Sequence, residues 1–114
     1  MAYRPTLDET MARFAEAWST PDADARWSLV HAAATADVVY YEPGQGRPIE
    51  GQAALAAFLG LEWEQHGRPF RVVGSIEGHH HRFLVPIALG EERGLMVVRA
   101  DRDNRIVEAI RFAG

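Results

Sequence analysis

The chain contains no cysteine. That excludes disulfide staples, a thiolate nucleophile, and any zinc or iron–sulfur centre held by sulfur. A basic stripe is missing too: 12 Lys and Arg stand against 16 Asp and Glu for a formal charge of -4, and the basic residues are scattered. Nucleic acid is therefore not an expected partner. No apolar run approaches the ~18 residues that a membrane-spanning helix needs, and the opening "MAYRPTLDET" has no apolar core of signal-peptide length. The expectation that follows is a cytoplasmic protein with no membrane partner. Internal repeats, linkers and low-complexity segments are also missing, so one domain over 1–114 is expected.

What is present suits a packed fold, since 47% of the residues are hydrophobic and 25% are charged. "TLDETMARFAEAWST" places Leu7, Met11, Phe14, Ala15 and Trp18 at helical spacing, and Thr6 with Glu9 fits a capping box. "TPDADARWSLVHAAATAD" restarts the pattern, with Pro21 suited to the first helical turn and Trp27, Val30, His31 and Ala34 expected inward. "DVVYYE" reads as a short strand stopped by Pro43-Gly44. A third helix follows in "GQAALAAFLGLEWEQHG", with Leu55, Phe58, Leu59 and Trp63 inward. Gly60 weakens that helix by about 1 kcal/mol relative to Ala, and Gly67 suits its end.

The rest changes character. "FRVVGSIEG", "HHHRFLVPIAL", "GLMVVRA" and "RIVEAIRFA" have strand composition and are divided by the turn signals "GEERG" and "DRDN". Helix, helix, strand, helix and four strands imply an α+β fold. In it a curved antiparallel sheet is covered on its concave face by three helices, forming a cone with an apolar pocket.

This order resembles the nuclear-transport-factor-2-like superfamily, in particular its SnoaL-like and ketosteroid-isomerase-like proteins. The residues that carry the resemblance are "ARFAEAWSTPD", "DVVYYEPGQGRPIEGQAALAAFL", "GHHHRF" and "DRDNRIVEAIRF", along with Asp22 and Arg26. It implies a small hydrophobic ligand, no cofactor, and a homodimer formed through the outer sheet face, where Leu84, Val97, Val107 and Ala109 are candidates. The superfamily hosts isomerases, cyclases and purely binding domains, so the fold leaves the function open.

In the isomerases the acid before the strand-ending Pro is the general base, and Glu42 matches it. Alternation puts Val38, Tyr40 and Glu42 on one face. A desolvated carboxylate there is a stronger base; the alternative is that Glu42 pairs with an Arg such as Arg47 or Arg99. Two isomerase features are lost, because Phe14 stands where the oxyanion-holding Tyr would be and Met96 where a protonated acid would be. Neither can donate a hydrogen bond to an enolate. Catalytic candidates are then Glu42, Tyr40, His79 and His81, the two His sharing a strand face. Candidate ligand contacts are Phe14, Trp18, Tyr40, Phe58, Trp63, Phe83, Met96 and Val98. His79 and His81 could hold a metal only if Glu42 or His31 completed the set, so no metal is expected. Two functions stay open: a small hydrophobic ligand-binding domain with isomerase- or cyclase-like activity from Glu42, and a non-catalytic ligand-binding or dimerisation module.

Overall fold

The computed structural model describes residues 3–113; positions 1, 2 and 114 of the expected unit lie outside the described residues. The elements are α1 (Leu7–Ser19), α2 (Ala23–Ala33), β1 (Ala34–Tyr41), β2 (Ile49–Glu50), α3 (Gln52–His66), β3 (Phe70–Val72), β4 (Glu77–His79), β5 (Arg82–Leu89), β6 (Glu92–Ala100) and β7 (Ile106–Ala113).

α1 starts as its sequence dictates. The Thr6 hydroxyl accepts the Glu9 N–H, and the Glu9 carboxylate reaches back to the Thr6 N–H, so two orphan donors are satisfied together. Its stripe of Leu7, Met11, Phe14 and Trp18 is buried.

α2 departs from expectation. Asp22, not Pro21, is the boundary: its carboxylate accepts the N–H groups of Asp24 and Ala25. The inward face is Arg26, Val30 and Ala33, whereas Trp27 is 42% exposed and His31 is also exposed. A charged side chain turns inward because α1 ends beside it. The Arg26 guanidinium donates through Nε to the Ala17 carbonyl at 3.2 Å and through Nη2 to the Thr20 carbonyl. These are carbonyls at the α1 C-terminus that lack helical partners.

The same arginine explains Gly60. α3 runs through that position unbroken to Gly67, whose left-handed backbone (φ 58) returns its N–H to the Trp63 carbonyl. A Cβ at Gly60 would lie 3.2 Å from Arg26 Nη1, so the absent side chain makes room for the guanidinium.

The sheet runs β2-β1-β7-β6-β5-β3, with β4 also pairing β5. It is mixed, because β1 runs parallel to β7 while the other pairs are antiparallel. The expected strand "FRVVGSIEG" is two short strands on one edge. β3 pairs Ile87 to Leu89 and β4 pairs Arg82 to Leu84, with the break at Pro86, which has no N–H to give a ladder.

A second irregularity decides which β7 side chains face in. Between Arg99↔Glu108 and Ala100↔Ile106 the register shifts by one residue at Val107. Beyond that bulge Ala109 pairs with Val98, and both are buried on the helix-covered face. Ala109 is thus a core residue and not part of the outer face, and Arg111 points inward with it.

Candidate functional site

β1 carries Val38, Tyr40 and Glu42 toward the helices, as alternation requires, with Val38 and Tyr40 buried. The chain then turns at Pro43-Gly44, where the Glu42 carbonyl accepts the Gln45 N–H at 3.2 Å. β1 and β7 run parallel with Tyr40↔Ala109 and Tyr41↔Ile110, which carries Glu42 to the side of Arg111.

There the two side chains lock. Arg111 Nε donates to Glu42 Oε1 at 2.9 Å and Nη2 donates to Oε2 at 2.8 Å. Such a bidentate pair is the strong form of the ionic hydrogen bond. The Tyr40 hydroxyl donates to the same Oε1 at 2.7 Å. The side chains are nearly dry, at 7% exposure for Arg111 and 8% for Glu42.

Burial pushes the Tyr40 phenol up, and the Glu42 carboxylate adds to it. Burial opposes the charge of Arg111, but its hydrogen bonds to Glu42 and the charge of that carboxylate outweigh it and raise its pKa. The resting arrangement is neutral phenol, carboxylate and guanidinium, with the guanidinium 5.9 Å from the Trp18 ring.

The space before this triad is occupied by rings. Phe14, Trp18, Tyr40 and Phe70 are no more than 2% exposed. Trp18 stacks on Phe70 at 5.0 Å between centroids and meets Phe14, Tyr40 and Phe58 at 6.0, 6.3 and 5.9 Å. Met96, which pairs with Arg111, and Val98 complete the wall, both fully buried. Surface grooves of about 330 to 440 Å³ lie elsewhere: between α1 and β3, on the outer face at β4, and along α2. None of them has Tyr40, Glu42 or Arg111 in its lining.

Sequence reasoning therefore names most of one cluster. Tyr40, Glu42, Phe14, Trp18, Phe58, Met96 and Val98 come together. Phe83 and Trp63 are half-buried, and Trp63 stands apart from the ring cluster. His79 and His81 do not join: His79 ends β4 and His80-His81 form the turn into β5, all three exposed. Arg99 is exposed on the outer face and Arg47 lies in the exposed hook, so neither is the partner of Glu42. The missed residue is Arg111. Strict alternation along "RIVEAIRFA" from Val107 puts it outside, and only the bulge brings it in.

Solved structures match this architecture over nearly the whole chain. A protein from Agrobacterium tumefaciens, provisionally named an isomerase of the SnoaL-like family, superposes with a TM-score of 0.76 at 24% identity, covering 92% of this chain and 94% of its own. A SnoaL-like protein of unknown function from Burkholderia thailandensis gives 0.73 at 14% identity, covering 98% and 99%.

The chain has the SnoaL-like, nuclear-transport-factor-2-like fold. A SnoaL-like protein from Jannaschia, provisionally named a polyketide cyclase, matches it with a TM-score of 0.73 at 15% identity over 98% of this chain and 90% of that one. No protein-family model matches the sequence, and no characterised protein is found as a relative. At these identities the SnoaL-like likeness fixes the fold, and the site must speak for the chemistry. Among the described residues no helix is long and apolar enough to cross a membrane.

Proposed function

We propose that this SnoaL-like chain is a non-catalytic, homodimeric binding module, in which Glu42 ties the sheet together and does not shuttle protons. The observation that carries the reading is the bidentate Arg111–Glu42 pair. A general base needs a lone pair aimed at the substrate's proton. Here Oε1 accepts from both Arg111 Nε and the Tyr40 hydroxyl and Oε2 accepts from Arg111 Nη2, so the one lone pair left over, on Oε2, sits on a carboxylate that is already clasped and nearly dry. Phe14 and Met96 add no donor for an oxyanion, and the rings of Phe14, Trp18, Tyr40 and Phe70 stand where a substrate would lie. His79 and His81 are too far round the sheet to serve a catalytic reading based on Glu42 and Tyr40.

The outer sheet face supplies the second half of the reading. Leu84↔Val97, Val97↔Ile110 and Ile110↔Tyr41 form one apolar row across four strands. Leu84 and Tyr41 in it are 46% and 39% exposed, and Leu95 and Phe112 extend it at 37% and 50%. A row this wide favours a partner. Beside it runs a charged row, Arg82↔Arg99↔Glu108 and on through Val39 to Glu50. It is positive on one side and negative on the other. Among the described residues Arg82, Arg99 and Glu108 make no ion pair. A two-fold axis along the strands between β6 and β7 sets the positive half of one copy over the negative half of the other. The partner that satisfies both rows is a second copy.

Deuterium exchange tests the absence of proton shuttling. Hydrophobic ketones incubated with the protein in D2O should gain deuterium beside the carbonyl no faster than in buffer. Protein-dependent exchange that disappears in Glu42→Gln would overturn the reading.

A further inference from the structure

The hairpin that the cone does not use holds two nitrogens in an unusual relation. β4 and β5 are joined by two residues, His80 and His81, with φ of 53 and 62. Two consecutive left-handed residues closing the His79↔Arg82 pair make a type I′ turn. Such turns ordinarily carry Asn-Gly. The Arg82 Nη1 donates to the His80 carbonyl at 2.9 Å, which holds the turn from beneath. In this geometry His79 Nδ1 lies 2.7 Å from His80 Nδ1, with the rings at 85° to each other.

We propose that His79 and His80 form a surface chelate for one divalent cation of the Cu²⁺ or Ni²⁺ class, bound through their Nδ1 atoms. As a hydrogen bond the contact demands a proton on one Nδ1 and a lone pair on the other. With both protons on Nε2, two nitrogen lone pairs lie 2.7 Å apart with no proton between them, a repulsion that a shared cation removes. At metal–nitrogen lengths of about 2.0–2.1 Å, nitrogens at a right angle sit about 2.9 Å apart and tetrahedral ones about 3.4 Å apart. The observed spacing is nearer the right angle, which suits tetragonal Cu²⁺ or Ni²⁺ over tetrahedral zinc. Glu77 lines the same groove as His79, but no three His, Asp or Glu among the described residues gather closely enough to hold a metal. Water therefore fills the other positions. His81 takes no part. The metal requires both imidazoles neutral, so binding weakens in acid.

Copper titration of the whole chain tests this. Calorimetry should give one Cu²⁺ per chain, and its electron paramagnetic resonance spectrum should show coupling to two nitrogens. His79→Gln and His80→Asn should each remove one nitrogen and the tight isotherm; Asn tolerates the left-handed backbone and keeps the turn. His81→Asn should bind as wild type. In unsubstituted protein, substoichiometric Cu²⁺ should broaden the ring resonances of His79 and His80 before those of the remote His31 and His66. Equal loss in His81→Asn, uniform broadening of all five His, or a wild-type isotherm no tighter than that of the doubly substituted chain would each overturn the assignment.

Discussion

Both carboxylate oxygens of Glu42 accept hydrogen bonds from Arg111, 69 positions further along the chain. The pair joins the end of β1 to β7 beside the aromatic cluster, with its side chains only 7% and 8% exposed. Removing either partner leaves the other buried and unpaired. Glu42→Gln and Arg111→Met should each lower unfolding stability by about 3–5 kcal/mol in urea titrations. Glu42→Met combined with Arg111→Met should recover most of that loss, since apolar replacement of a whole buried pair is often neutral. A double substitution no better than the sum of the singles would refute the coupling.

The Tyr40 phenol, pushed up by burial and then by Glu42, gives a pH dependence of definite sign. An unfolded Tyr ionises near pH 10. The stability contributed by a phenol that stays neutral in the fold is complete below about pH 10 and is lost as pH rises from there toward the raised value. The urea midpoint should therefore fall above about pH 10, and less steeply in Tyr40→Phe. Superimposable slopes would count against it.

Arg26 and Gly60 should couple. Arg26→Ala exposes the Ala17 and Thr20 carbonyls without a partner and should cost about 1–3 kcal/mol. Gly60→Ala should bring about 1 kcal/mol of helix propensity only in the Arg26→Ala background, because in wild type the new methyl meets Nη1 at 3.2 Å. Thermal melts of the four proteins measure the cycle. Identical effects of Gly60→Ala in both backgrounds would remove the steric account.

The outer face makes a charge-swap prediction. Arg99→Glu should shift the mass seen by light scattering from two chains toward one, and adding Glu108→Arg should restore it. Val97→Asp should give one chain at micromolar concentration, because it puts a charge into the apolar row. A wild type already of single-chain mass would dispose of the interface.

The elements with a local cause were readable in the sequence. The capping box of α1, the stop at Gly67, the turn at Pro43-Gly44 after β1 and the two-period burial of Val38 and Tyr40 each depend on residues within a few positions of one another. Three features were not readable, for a common reason. The inward turn of Arg26 depends on where α1 ends, the split of β3 from β4 depends on Pro86 in a different strand, and the partner of Glu42 depends on a bulge at Val107.

By itself the sequence determined the three helices, the long strands β1, β5, β6 and β7, the ring-rich core and the presence of an acid just after β1, because propensity, periodicity and turn chemistry act over short range. Whether that acid is free or clasped was decided only when parallel pairing of β1 with β7, together with the one-residue bulge of β7 against β6, brought a guanidinium against it. A one-residue shift in a strand reverses every side chain after it, and no local pattern along the chain records that shift.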